Sequence, residues 1–372
     1  MTNVVIVGCG IVGAAIAYEL SHIEGLDITV VDRQQPAQAA TGAALGVLMG
    51  AISQKTKGNN LRMRLTGIER YNAWIPQLEA LTGQTILFNQ QGILRLCFEG
   101  ETLDSWQHLV EVRRSQGLRL EILDRDQLAV SYPQLNLERV TAAVYSPDDR
   151  QVDPTALTQA LVMAAAQQGV TFQFDTAVIG VEEPCDCSDQ PSEAALQQCQ
   201  QVQTTHGSLT ADWLVIAAGL GSTPLTDMLQ RSVDIRPVLG QAVHVRLQKP
   251  LGTPELQPVI TGEDVHVIPL GGGDYWVGAT VEFPAAGSIP SADSEALNQV
   301  MKQAIAFCPV LAEATIVRHW SGLRPRPEGR PAPIVERLPG YRNVLLATGH
   351  YRNGVLLAPA TAEKIRQLID AV

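Results

Sequence analysis

Residues 1–33 constrain this chain more than any other stretch. Val4-Val5-Ile6-Val7 is a short, wholly apolar, β-branched run, the pattern of a buried strand. Gly8-Cys9-Gly10-Ile11-Val12-Gly13 follows at once, and Ala14–Leu20 is rich in helix formers. Ile28-Thr29-Val30-Val31 reads as a second strand, with Asp32 at its end. Strand, glycine turn, helix, strand and terminal acid in that order make a dinucleotide-binding fingerprint. Gly8 permits the tight turn, Gly10 lets the backbone approach a pyrophosphate, and Gly13 lets helix and strand pack closely. The helix N-terminus offers unpaired N–H groups and the positive end of its dipole to the phosphates. Asp32 can accept hydrogen bonds from a ribose diol. The pattern does not distinguish NAD from FAD.

The 372 residues suffice for one large core or two closely joined domains. Hydrophobic residues make up 45% and charged residues 17%, the balance of a soluble globular enzyme. A net charge of −11 argues against nucleic acid as the main partner. No apolar run reaches membrane-spanning length. The N-terminus enters a strand with no basic, signal-like segment before it, so a cytoplasmic location is expected. Nothing in the composition excludes a homo-oligomer. The cysteines at 9, 97, 185, 187, 199 and 308 show no disulfide framework. Cys185, Cys187 and Cys199 have no fourth ligand at metal-binding spacing. No metal is expected, and that segment reads as an exposed loop of reduced thiols.

Ala39–Val47 is dominated by small residues, with nothing large before Leu45. Close packing would explain this, but its place directly after Asp32 favours a backbone passing close to a flat cofactor or its phosphates. Residues 61–81 have apolar positions at helical spacing, 92–96 alternate as a strand, and 103–116 read as a helix stopped by Gly117. Asp153-Pro154 starts a helix, acid at the N-cap and proline at N1, running to about Gln168. Strands follow at 171–174 and 177–181. Residues 183–201 are acidic and Gln-rich, the composition of a long hairpin tip. Asp212–Gly219 is a buried strand returning the chain to the nucleotide fold. The segments 237–246, 265–270 and 275–280 look like strands of a large, mostly antiparallel sheet. A helix at 294–307, a strand at 343–347 and a last helix at 354–369 complete the chain.

These residues carry a family resemblance. The chain resembles the D-amino acid oxidase superfamily of FAD-dependent oxidoreductases, and within it the bacterial glycine oxidases of the thiamine pathway. The marks are the Gly8–Gly13 turn, Asp32, the stretch 40–47, Val178, Ala217-Ala218-Gly219 and Val277-Gly278-Ala279-Thr280. Trp320-Ser321-Gly322-Leu323-Arg324-Pro325 and Gly349–Thr361 are the most specific. The resemblance implies an α/β fold: a Rossmann-like FAD-binding domain with an inserted α+β substrate domain on a large, mostly antiparallel sheet. The expected FAD part is 1–82, 150–225 and 338–372, and the substrate part 83–149 and 226–337. The resemblance places Gly8, Gly10, Ile11, Val12 and Gly13 at the pyrophosphate, and Asp32 and Arg33 at the adenosine ribose. Ala40, Thr41, Leu45, Gly46 and Val47 would pass near the phosphates and flavin, with Ala218 and Gly219 beside them. Val178 would meet the adenine through its backbone. His350, Tyr351, Arg352, Asn353, Gly354, Val355 and Leu356 would lie along the flavin. Arg324 would bind the substrate carboxylate, with Arg352 nearby.

Two departures matter. Where glycine oxidases carry an aromatic hydroxyl, this chain has His266, a titratable group. Relatives with covalent FAD use a cysteine after the arginine-bearing strand, but residues 321–336 contain none and Cys308 lies upstream. Non-covalent FAD is therefore expected. The residues themselves agree with this chemistry. A flavin takes the hydride, and the protein holds the substrate. A planar guanidinium suits a carboxylate because it binds bidentately. Arg324, between Gly322 and Pro325, reads as sitting in a tight turn after an apolar strand. His266 is the candidate to assist proton transfer, although His266, His319 and His350 are each equally readable as structural. The helix after Gly349–Gly354 would aim its dipole at negative charge on the cofactor.

The expected reaction is oxidation of glycine or another small amino acid or amine to an imine. Hydrolysis then gives a 2-oxo acid and ammonia, with hydrogen peroxide if oxygen is the electron acceptor. The resemblance implies an imine supply to thiamine synthesis. A D-amino acid dehydrogenase passing electrons to a quinone, a non-catalytic FAD-binding protein and an NAD-linked dehydrogenase are the alternatives.

Overall fold

The computed structural model describes residues 1–182, 196–284 and 291–371. In chain order β1 (Thr2–Val7), α1 (Ile11–Leu20) and β2 (Leu26–Val31) come first, then α2 (Asn59–Thr82) and α3 (Pro154–Gln167). β3 (Trp213–Ile216), β4 (Ile235–Arg246), β5 (Val265–Gly271), β6 (Asp274–Gly278) and β7 (Thr315–Pro327) follow. β8 (Val344–Thr348) leads into α4 (Gly354–Asp370).

A six-stranded sheet is ordered Ile334–Arg337, β8, β3, β1, β2, Thr171–Gln173. Its strands pair in parallel except Ile334–Arg337, which lies antiparallel to β8. Parallel strands covered by helices are buried on both faces, which explains why β1 and β8 read as unbroken apolar runs. α1 is buried along its whole length and apolar on every face except at Glu19, because it is packed between this sheet and other helices. Buried Glu19 of α1 accepts from Arg70 of α2 at 2.6 Å and Arg366 of α4 at 3.0 Å, tying the three helices together. α3 begins as its sequence demands: the Asp153 carboxylate accepts from the Thr155 and Ala156 N–H groups at 2.8 and 3.1 Å.

The second, eight-stranded sheet is ordered β7, β4, β6, β5, Val259–Gly262, Ile93–Phe98, Val140–Ser146, Glu121–Asp124. Its only parallel pairing joins Val259–Gly262 to Ile93–Phe98. The expected α/β plan with an inserted, mostly antiparallel sheet is therefore the observed one. Ile334–Arg337, assigned on sequence to the substrate part, pairs with β8 in the first sheet.

Two local expectations change. Arg324 is not in a tight turn: it lies within β7, opposite Val238 of β4. Pro325 is tolerated because β7 is an edge strand, where a missing N–H breaks no ladder. Cys199 is not exposed. It is buried in the same apolar cluster as Val202, Leu214 and Val344, and its N–H donates to Asn343 Oδ1 at 2.9 Å. Residues 183–195, with Cys185 and Cys187, lie outside the described residues. Among the described residues no helix is long and apolar enough to cross a membrane, and no cluster of His, Cys, Asp or Glu could hold a metal ion.

Candidate active site

The glycine turn between β1 and α1 is shaped as a cradle. Gly8 has φ of +107°, and a Cβ there would sit 2.6 Å from the Ala217 carbonyl oxygen at the end of β3. A Cβ on Gly13 would lie 1.8 Å from Gly8 O, so helix and turn touch backbone to backbone. α1 has no side-chain cap and no acid in its first turn, which leaves its positive end open to an anion. Thr41 Oγ1 accepts from the Ile11 N–H at 3.0 Å, bringing the 40–47 stretch onto this helix start. The Asp32 carboxylate accepts from the Cys9 N–H at 2.6 Å and the Gln34 N–H at 2.9 Å. Further lone pairs remain for a ribose diol. The Thr176 N–H bonds the Asp32 carbonyl, which sets Val178 near the same end of the sheet. Arg33 is exposed beside it. These residues fit the ADP half of FAD.

The second half of the site is one face of the large sheet. By register, Trp320, Gly322 and Arg324 of β7 share a face with Gly240 and Ala242 of β4, Trp276 and Gly278 of β6, and His266 of β5. Three of these are glycines, and each clears something. A Cβ on Gly322 would meet Ala43 Cβ at 2.2 Å, and one on Gly278 would meet Leu45 Cδ1 at 3.2 Å. Trp320 Nε1 donates to the Ala43 carbonyl at 3.1 Å. The small residues at 39–47 thus lie directly on the sheet, which is the close packing set against cofactor approach on sequence. Gly46 packs on the Val152 carbonyl, and Val47 pairs with Gln151.

Arg324 lies across Gly240, where a Cβ would come within 2.1 Å of its guanidinium. Nη1 donates to the Leu239 carbonyl at 2.9 Å and Nη2 to the Thr280 carbonyl at 3.0 Å. Two of five N–H donors are therefore used and three are left. The turn Tyr351–Asn353 packs against β7 and brings Arg352 to the same place. Burial and the Arg352 charge pull the Arg324 pKa down, opposed by Tyr351 and Glu282, yet a guanidinium stays charged at neutral pH. Burial, then Arg352 and Arg324, push the His266 pKa down to about 4 against an opposing pull from Asp264. Its Nδ1 is 2.9 Å from Thr261 Oγ1. His266 is thus a neutral imidazole beside two cations. Three residues distant in sequence, 266, 324 and 352, thus act on one another electrostatically.

The rest of the 350–356 segment is held from behind. The Tyr71 hydroxyl donates to the Val355 carbonyl at 2.5 Å. Arg64 Nη2 donates to Asn353 Oδ1 at 3.1 Å and Nη1 to the Met49 carbonyl at 2.8 Å. A Cβ on Gly67 of α2 would sit 2.0 Å from Leu356 O. The His350 side chain turns into the core, with Nε2 2.9 Å from Thr361 Oγ1. Sequence reasoning missed a further pair. Buried Asp149 accepts the N–H groups of Gly50, Ala51 and Ile52 at 2.6, 2.8 and 2.8 Å. Buried Arg113 donates to the carbonyls of Ala51, Ser53 and Lys55, each at 2.6 Å. Together they fix the loop that follows the 40–47 stretch. Nothing local marks either residue, because their partners lie about 60 to 100 positions away.

His350 makes a pH prediction. Burial lowers its pKa from 6.5 to about 4. Between those values the unfolded chain binds more protons, so stability rises with pH in that window. It is fully present above about 6.5 and lost as pH falls through about 4. The shift corresponds to roughly 3 kcal/mol at acid pH, and His266 acts in the same direction. Urea melts at pH 7.5, 6 and 4.5 should show this decline, and His350→Gln should flatten it. An unchanged slope in that variant would rule out His350 as a source.

The family model for FAD-dependent oxidoreductases of the D-amino acid oxidase type matches residues 3–368. The bifunctional ThiO/ThiG protein of Synechocystis sp. is 33% identical over 99% of this chain, which spans 51% of that protein. The chain thus covers about half the length of its ThiO/ThiG relatives. The glycine oxidase of Geobacillus kaustophilus is 28% identical, with 99% of this chain and 93% of that protein covered. The crystal structure of glycine oxidase from Bacillus cereus superposes with a TM-score of 0.85 at 27% identity, covering 100% of this chain and 95% of that one. With its glycine cradle, its sheet-borne arginine and a family match across nearly its whole length, the chain belongs to the FAD-dependent oxidoreductases of the D-amino acid oxidase type.

Proposed function

We propose that this chain catalyses FAD-dependent oxidation of glycine or another small amino acid or amine. The observation that carries the reading is one glycine-cleared sheet face bearing Arg324 and neutral His266, with the Arg352 turn packed on its β7 edge. Similarity to glycine oxidases supports the choice of substrate. When bound, FAD supplies a two-electron acceptor that takes a hydride from the substrate Cα. The protein's part is placement. The three free N–H groups of Arg324 take the carboxylate, and Arg352 adds a second positive charge. His266, uncharged, presents an imidazole to the amine without repelling it further. Gly240 keeps the guanidinium flat on the sheet. The start of α4, reached through residues 350–353, has no side-chain cap and would offer its positive end to the cofactor.

Residues Gly8, Gly10, Ile11, Val12, Gly13, Asp32, Arg33, Ala40, Thr41, Val178, Ala218 and Gly219 serve the ADP half. Leu45, Gly46, Val47 and residues 350–356 serve the flavin half. The FAD is held without a covalent bond: Cys308 is buried in the core of the large sheet, and burial pushes its thiol up to about 12. The imine product hydrolyses to a 2-oxo acid and ammonia, and oxygen as acceptor gives hydrogen peroxide.

The test is anaerobic mixing of the yellow holoenzyme with glycine, sarcosine and D-alanine. Bleaching of the flavin absorbance by at least one is the expected result. No bleaching across a broad amine panel would overturn the reading. Dye reduction without oxygen uptake would assign the chain to the dehydrogenases.

A further inference from the structure

Arg324 is aimed by two carbonyl oxygens, those of Leu239 and Thr280. One residue outside the cationic cluster touches the support of both. Residue 282 bridges back to β4 through a reciprocal pair of backbone hydrogen bonds. Its N–H donates to the Leu239 carbonyl at 3.0 Å, and the Leu239 N–H donates to its carbonyl at 2.9 Å. The Leu239 oxygen that receives Arg324 is thus also held by Glu282. The Glu282 carboxylate meanwhile reaches the other support. Its Oε1 accepts a short hydrogen bond from the Thr280 hydroxyl and another from Gln241 Nε2 at 2.8 Å.

The network closes on itself. The Gln241 N–H donates to Thr280 Oγ1 at 2.8 Å, and the Thr280 N–H donates to the Gln241 carbonyl at 3.1 Å. Gln241 and Thr280 are both buried. Gln241 Nε2 also donates to the Asp293 carbonyl at 2.7 Å, and Glu282 Oε2 accepts from the Asp293 N–H at 3.2 Å. A buried hydroxyl and amide with one carboxylate at their centre make a rigid mount, since a vacant partner would leave them unpaired in a low dielectric. The mount sets where the Thr280 carbonyl points, and that carbonyl sets where Arg324 Nη2 points. Glu282 is also an anion close enough to favour the charged guanidinium against Arg352.

We propose that Glu282 is a positioning residue for the Arg324 clamp, acting through Thr280 and Gln241 and not by touching substrate. The proposal rests on the reading of Arg324 as the carboxylate site. Preorganisation of this kind shows in substrate affinity: a guanidinium off by a fraction of an ångström loses the bidentate fit while the reacting bond is unaltered.

The experiment uses FAD-loaded Glu282→Ala and Glu282→Gln. Stopped-flow reduction by glycine separates substrate Kd from the limiting rate. A flavin difference titration with acetate reads carboxylate binding where no amine can be oxidised. Glu282→Ala is expected to raise both dissociation constants tenfold or more, with the limiting rate within threefold. FAD content and melting temperature should hold. Glu282→Gln, whose amide oxygen still accepts from Thr280 and Gln241 and which gives up only the 3.2 Å bond from the Asp293 N–H, is expected to stay within threefold of the parent protein. Unchanged constants in the alanine variant would overturn the proposal. So would a glutamine variant as weak as the alanine one, since charge and not position would then be the cause. Parent protein that binds acetate but is bleached by no amine would sink the oxidase reading and leave the Glu282 comparison legible through acetate.

Discussion

Arg324→Ala should weaken substrate binding by about 2–4 kcal/mol, the loss expected for a charge-assisted bidentate partner, while FAD stays bound. That is roughly a 30- to 1,000-fold rise in Kd. The guanidinium is fixed before substrate arrives, lying over Gly240 with one N–H on each of two carbonyls. Little side-chain entropy remains to be lost on binding, so most of the interaction appears as affinity. Arg324→Lys keeps a charge but has no fork, and it should recover only part of the loss. The proposed cofactor contacts lie on other elements, around Gly8, Gly13 and Asp32. Loss of FAD with unchanged affinity for substrate would therefore contradict the assignment outright.

Gly13→Ala should yield protein that no longer retains FAD. Its new methyl would lie 1.8 Å from Gly8 O and 2.9 Å from Gly8 C. Both are backbone atoms of the turn itself, so the clash is relieved only by opening the cradle. An FAD affinity loss of 100-fold or more, about 2.7 kcal/mol or above, should accompany a lower melting temperature, because bound cofactor no longer stabilises the native state. Gly10→Ala is the graded comparison. Its methyl would meet Thr41 Oγ1 at 3.0 Å, a side-chain atom that can turn aside, so the loss should be smaller. Flavin absorbance after gel filtration and titration of FAD into apoprotein measure both. A Gly13→Ala protein of normal yellow colour would show that this turn does not hold the cofactor.

The elements legible from sequence are those whose causes are local. The buried strand, the glycine turn and the acid of residues 4–32 appear as read, and so do the Asp153-Pro154 helix start and the last helix. Gly322 and Pro325 misled for the same reason. In isolation they signal a turn, but Gly322 makes room for Ala43 and Pro325 sits on an edge strand. Gln241, Asp149 and Arg113 gave no signal, since each acts on atoms far away in the chain, and Glu282 gave none because its links to Leu239 and Gln241 are equally distant although Thr280 is its near neighbour. Gly240, a glycine inside a strand pattern, is the kind of local signal that marks a close backbone approach.

The amino-acid order alone determined the nucleotide-binding half of this protein, because the fingerprint lies within some thirty consecutive residues and its geometry follows from short-range sterics. It also supplied the residues of the substrate half. Their arrangement was decided by tertiary structure. Strand register put His266, Gly240 and Arg324 on one face, and packing of the 351–353 turn on β7 added Arg352. A bridge at Leu239 brought in Glu282. The physical reason is that side-chain convergence across a sheet depends on which strands pair and in what register, and a shift of one residue would send the slipped strand's groups to the opposite face.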